Sequence, residues 1–87
     1  MKILIYETTD AAYMAARHLS EKHDVTILAE ADQLSERFAN LDVSFVRGSG
    51  ADVTILEQMN AARMDLFVAC SAVDEANIVA CWTIKRI

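Results

Sequence analysis

The sequence has no proline, and its two glycines, Gly48 and Gly50, sit in a single short stretch. No proline- or glycine-rich linker interrupts it, so one continuous domain over residues 1–87 is expected. Its turns must rely on Asp, Asn, Ser and Thr. Two cysteines are too few for a disulfide framework and suggest reduced thiols in the cytosol. Both Cys70 and Cys81 read as buried apolar residues. No basic run occurs: 13 acidic residues outnumber 8 basic ones, giving a net charge of −5. That balance argues against nucleic acid or an anionic membrane surface as a partner. Apolar runs reach only about five residues, against the roughly 20 that a membrane-spanning helix needs. No charged n-region, apolar segment and cleavage site open the chain, so secretion is not expected. His18 and His23 lack a paired cysteine or third ligand, which argues against a metal site.

What is present is apolar. Hydrophobic residues make up 54% of the 87. A chain of this size buries roughly 60% of its unfolded surface, so the core should be dense, with apolar surface left for a partner. Four short apolar runs stand out: Lys2–Tyr6, Val25–Ala29, Val43–Arg47 and Leu66–Cys70. Most lack alternation and read as strands covered on both faces, as in a parallel sheet. Helical spacing lies between them, over Ala11–Glu21, Gln33–Ala39 and Val53–Met59, and from Ser71 toward Ile87. Asp10 and Asp52 are placed to cap the first and third helices. Ser71-Ala72-Val73-Asp74 has the spacing of a capping box. The alternation predicts an α/β fold: a Rossmann-like three-layer structure, with a four-stranded parallel sheet in the order 3-2-1-4 and helices on both faces. A complete fold of this kind would add two strands, so the sheet is truncated, as a half-fold or a fragment of something longer.

In such a sheet, ligands bind beyond the carboxyl ends of the strands where the order reverses, between strands one and four. The residues facing that point are Glu7–Asp10, Ala29–Glu30, Gly48–Gly50 and Cys70–Ser71. Phosphate-binding loops of this fold use glycines to bring backbone N–H groups close to a pyrophosphate. Here Glu7, Thr9 and Ala12 stand where the three glycines would be. Side chains at Glu7 and Thr9 would crowd a phosphate, and the acids Glu7 and Asp10 would repel it. The turn reads either as an altered binding loop or as an ordinary strand-to-helix turn. Glu30, or Ala29 in a shifted register, ends the second strand where an acid would hold ribose hydroxyls. Gly48-Ser49-Gly50 reads as a sharp turn or as bare backbone on which a flat ring could lie. Cys70 has no base placed beside it. The last helix, with Ile78, Val79, Trp82, Ile84 and Ile87, is apolar around much of its circumference, from core packing or a dimer surface.

Three stretches resemble the N-terminal nucleotide-binding subdomain of TrkA-type proteins, also called RCK or KTN domains. They are MKILI with RHLSEKHDVTIL, VRGSGADVTILEQMNAARMDLFVACS, and SAVDEANIVACWTIKRI. The last matches a "T-x-x-D-E-x-N" helix at Ser71, Asp74, Glu75 and Asn77. The resemblance covers essentially the whole chain. It implies a cytoplasmic regulatory subunit or domain of a potassium-uptake system, at the inner face of the membrane through a transporter or channel partner. It implies homo-oligomers, NAD(H) or adenine-nucleotide ligands, and no reaction. The ligand-facing positions it assigns are Glu30, Gly48, Ser49, Gly50, Ala69, Cys70 and Ser71. None of the family's phosphate-loop glycines is present, and Ser49 replaces the acid of its glycine turn.

The expected function is therefore assembly, with adenine-nucleotide sensing through a degenerate, glycine-free loop. The alternative is a genuine mononucleotide or NAD(H) sensor with an altered pose. An enzyme is disfavoured, because no Tyr-x-x-x-Lys pair or activated nucleophile occurs. A phospho-receiver is disfavoured because Arg47 ends the third strand where an acceptor Asp would stand.

Overall fold

A computed structural model of the chain describes residues 1–31 and 35–87. Its strands are β1 (Lys2–Tyr6), β2 (Asp24–Ala29), β3 (Val43–Arg47) and β4 (Leu66–Ala69). Its helices are α1 (Asp10–Leu19), α2 (Glu36–Ala39), α3 (Val53–Gln58) and α4 (Asp74–Arg86). The sheet is parallel throughout and ordered β3-β2-β1-β4, as the alternation predicts.

Side chains of a strand alternate between faces, and the sheet uses both. Ile3, Ile5, Val25 and Ile27 pack against Ala12 and Ala16 of α1 and Phe38 of α2. Leu4, Tyr6 and Leu28 pack on the other side against Leu56 of α3 and Ala80 of α4. That makes three layers. The central strands β1 and β2 are buried on both faces, whereas the outer β3 and β4 are only half-covered.

Several boundaries differ from expectation. The second helix was expected over Gln33–Ala39; α2 spans Glu36–Ala39, and Gln33 and Leu34 lie outside the described residues. A 3-10 turn over Ala61–Arg63, entered through Asn60 at φ 57°, was not anticipated. Asp10 is not a cap but the first residue of α1. The cap is Thr9, whose hydroxyl accepts from the Ala12 N–H at 3.2 Å, and Asp10 instead pairs with Arg37 of α2 at 2.8 Å. Asp52 does cap α3, accepting from Thr54 and Ile55.

Candidate functional site

Strand register brings the carboxyl ends of the strands level. Tyr6 lies level with Leu28 on one side and with Ala69 on the other. Backbone bonding continues one residue past the strands. Glu7 N–H donates to Leu28 O at 2.7 Å, Gly48 N–H to Ala29 O at 2.8 Å, and Cys70 N–H to Tyr6 O at 3.1 Å. These bonds gather Glu7, Gly48 and Cys70 at one rim, with Glu30 following β2.

The β1–α1 loop has one glycine-like backbone angle without the glycine. Glu7 has φ 81°, a region that costs a non-glycine residue about 1–2 kcal/mol. Two residues on, the Thr9 hydroxyl accepts from Ala12 N–H and donates to Cys70 O. Helix N-termini attract anions because their first N–H groups lack partners. Here Thr9 occupies one of those groups and ties the loop to the end of β4.

The Gly48–Gly50 turn is bare for a different reason. Neither glycine has a positive φ, so backbone freedom does not explain them. A Cβ on Gly48 would come within 2.9 Å of the Ile55 side chain. On Gly50 it would meet Ala80 Cβ at 2.8 Å and the Tyr6 ring at 3.1 Å. The missing atoms let α3 and α4 close onto the sheet, and Gly50 is buried. Between them, Ser49 Oγ accepts from Ala51 N–H at 3.1 Å.

At the β4 end, Ala69 is the last strand residue, and Cys70 and Ser71 lead to α4. The expected capping box is replaced by another device. Ser71 Oγ accepts from Val73 N–H, not from a helical residue. The Asn77 side-chain amide clamps the Ser71 backbone from both sides. Its Oδ1 accepts from Ser71 N–H at 2.8 Å, and its Nδ2 donates to Ser71 O at 2.9 Å. Thr9 and Asn77 are thus the organising side chains of the rim. Asn77 had a sequence signal, its place in the T-x-x-D-E-x-N pattern. Thr9 had none beyond being a cap-forming residue type. Cys81 is exposed, against the expectation that both cysteines are buried, and Cys70 is half-buried.

Electrostatics at the rim oppose an anion. The Tyr6 phenol is held above its ordinary pKa of 10.0 by burial and by the nearby carboxylates of Glu7 and Glu30, against a lowering bond from the Gly50 backbone. Burial pushes the Cys70 thiol above its ordinary 9.0, so thiolate chemistry there is suppressed. Both groups fold in their neutral forms. The stability they supply is fully present below their unfolded pKa values and is lost as pH rises through the folded ones. Tm should therefore hold at neutral pH and fall above about pH 9, with Tyr6→Phe and Cys70→Ala each flattening the decline. An alkaline limb unchanged in the double variant would refute this assignment.

Among the described residues, no group of three or more His, Cys, Asp and Glu side chains is placed to hold a metal ion. No helix there is long and apolar enough to cross a membrane.

Comparison with known proteins follows the fold. The family model for the TrkA-N domain matches residues 3–87. A Trk system potassium uptake protein trkA homolog 1 from Methanosarcina mazei is 40% identical over 87 residues, covering 100% of this chain and 21% of that protein. The Trk system potassium uptake protein TrkA of Halomonas elongata is 34% identical over 83 residues, covering 93% of this chain and 18% of that protein. A TrkA homolog of Pyrococcus abyssi is 34% identical over 92 aligned residues, which take in 100% of this chain and 39% of the relative. The chain thus spans about a fifth of the first two relatives' length. A parallel β3-β2-β1-β4 sheet and a match from Ile3 to Ile87 agree: the chain belongs to the TrkA-N domain family.

Proposed function

We propose that this chain is a regulatory and assembly domain of a potassium-uptake system. It acts at the cytoplasmic face as part of a homo-oligomer and reaches the membrane through a transporter or channel partner. Its role is to set the arrangement of that assembly, not to catalyse a reaction. Its phosphate loop has exchanged dinucleotide binding for internal bonding. One observation carries that last point: the Thr9 hydroxyl occupies the Ala12 N–H at the start of α1. Glu7 and Glu30 add negative charge at the same rim. Losing two charge-assisted hydrogen bonds to phosphate weakens binding by roughly 3–6 kcal/mol, or about two to four decades.

A second reading keeps nucleotide sensing. It is favoured by Glu30, which stands exposed at the end of β2 beside the Gly48 turn. An adenine mononucleotide would then sit with its ribose on Glu30, against Gly48, Ser49 and Gly50, and reach Ala69, Cys70 and Ser71 across the crevice.

A thermal-shift series with NAD+, NADH, ATP, ADP and AMP at about 1 mM separates the two. A ligand at 100 times its Kd stabilises by about 2.7 kcal/mol, several degrees in Tm for a domain of this size. The first reading, with binding no tighter than millimolar, expects no shift above about 3 °C with any of them. A shift of several degrees with AMP alone would establish the second.

A further inference from the structure

The two ends of the sheet differ in charge. At the rim, Glu7 and Glu30 place carboxylates near Tyr6. At the opposite end, the 3-10 turn Ala61–Arg63 leads into β4, and α4, which starts beyond the far end of β4, returns with Arg86 as its last residue. The end of α3, the 3-10 turn and the end of α4 line a cavity of about 330 Å³. Asn60 and Arg63 also border Lys2 of β1 and Thr26 of β2, which places the cavity at the amino ends of the strands.

Arg63 and Arg86 reach this cavity from separate elements. Acids outnumber bases 13 to 8 in the chain, yet among the described residues neither guanidinium has an ion-pair or hydrogen-bond partner. The Glu57 carboxylate lines the same cavity without pairing with either. The Arg86 guanidinium carbon stands 4.5 Å from the centre of the Trp82 ring, a stacking that orients the plane of its fork. The Asn60 side-chain amide, also without a partner, adds a neutral donor.

We propose that this cavity binds an anion carrying two linked phosphate groups. Each guanidinium presents a planar fork that matches one phosphate bidentately, and Asn60 donates to an oxygen left over. The charge balance sets the strength. Two guanidiniums face the Glu57 carboxylate and the carboxyl end of α4, which adds about half a negative charge. The site is therefore only weakly positive, and its affinity comes from paired hydrogen bonds more than from net charge. A Kd of about 1 mM at low salt is expected. The site is independent of the glycine-free loop, which lies at the other end of the strands.

Titration of the isotope-labelled chain with pyrophosphate, followed by amide NMR at low salt, tests the site and maps it. Amides of residues 60–63 and 85–87 should move and saturate with that Kd, while those of residues 7–12 and 48–50 should stay. Orthophosphate, which fills one fork, should bind about tenfold more weakly. Arg63→Gln and Arg86→Gln should each weaken pyrophosphate binding about tenfold, and Glu57→Gln should tighten it about threefold. Arg17→Gln removes the same charge from α1 and should leave the Kd unchanged. All four substitutions replace exposed residues, and the spectra themselves show that each variant is folded. ADP in place of pyrophosphate distinguishes the sources of the two phosphates. Equal affinity at the same amides assigns the site to the pyrophosphate group alone, and tighter binding there assigns it to a nucleoside diphosphate. The absence of a saturable shift by about 10 mM would overturn the proposal. So would shifts confined to the rim. A Kd that Arg63→Gln and Arg86→Gln change no more than Arg17→Gln does would also overturn it, reducing the effect to the chain's general ion atmosphere.

Discussion

Gly50→Ala is expected to lower Tm by about 10 °C, although it adds one methyl group to a turn with ordinary backbone angles. The new Cβ would stand 2.8 Å from Ala80 Cβ and 3.1 Å from the Tyr6 ring. The first neighbour is fixed to the α4 backbone and the second is the ring of a buried strand residue, so neither yields by rotating a flexible end. Relief requires moving the helix off the sheet, and overpacking of this kind costs about 1–3 kcal/mol. Reduced freedom of the unfolded chain returns about 0.4–1 kcal/mol, leaving a loss of up to about 2 kcal/mol. Gly48→Ala is the control. Its clash at 2.9 Å is with Ile55 Cγ2 alone, a branch methyl on the six-residue helix α3 that a small shift of that helix relieves, so a smaller loss of about 1 kcal/mol is expected. Ala80→Gly in the Gly50→Ala background should recover part of the loss even though glycine weakens a helix, and thermal melts of the four proteins close the double-mutant cycle. Equal losses at Gly48 and Gly50 would show that turn conformation, not helix approach, sets the requirement.

That distinction marks where sequence stops being informative. Lys2–Tyr6 and Val43–Arg47 are strands at their expected bounds, because short β-branched and apolar runs have few other uses in a parallel sheet. The strand order follows from the alternation with helices. The glycine pair was visible as a special place, but a bare turn looks the same in sequence whether a ligand or a neighbouring helix needs the room. Only the distance to Ala80 says which element closes there. Capping was legible at Asp52, where one acid precedes the helix, and ambiguous where Thr9 and Asp10 compete. Thr9 prevails because its hydroxyl also reaches Cys70 O across the sheet, a contact of residues 61 apart. The exposure of Cys81 was equally hidden, whereas that of Trp82 was one of two readings the apolar helix left open. An apolar helix is expected to bury its large side chains, but where α4 comes closest to the sheet, at Gly50, it buries Ala80, and of its larger apolar residues Ile84 packs inward.

The phosphate loop offers the second large effect: Glu7→Gly combined with Thr9→Gly should tighten NADH binding about 100-fold, from millimolar to about 10 µM. The backbone needs little rebuilding. Glu7 already holds φ 81°, which glycine adopts without strain, so this substitution alone should raise stability by about 1 kcal/mol. It also removes one of the two carboxylates acting on Tyr6 at the rim. Thr9→Gly frees the Ala12 N–H for an anion and costs only a few tenths of a kcal/mol in capping, together with the tie to Cys70 O. Ala12, the third position, is buried against the sheet, and alanine is small enough for that close packing. Asp10 can stay, because Arg37 holds its carboxylate. Titration calorimetry of the natural chain, both single variants and the double separates strain from binding. Glu7→Gly should raise Tm without ligand, whereas only the double should bind tightly. A double variant that gains stability but no affinity would mean that the rim beyond the loop, at Glu30 and the Ser71–Asn77 clamp, has also lost the shape of a dinucleotide site. The domain would then act through its helices alone.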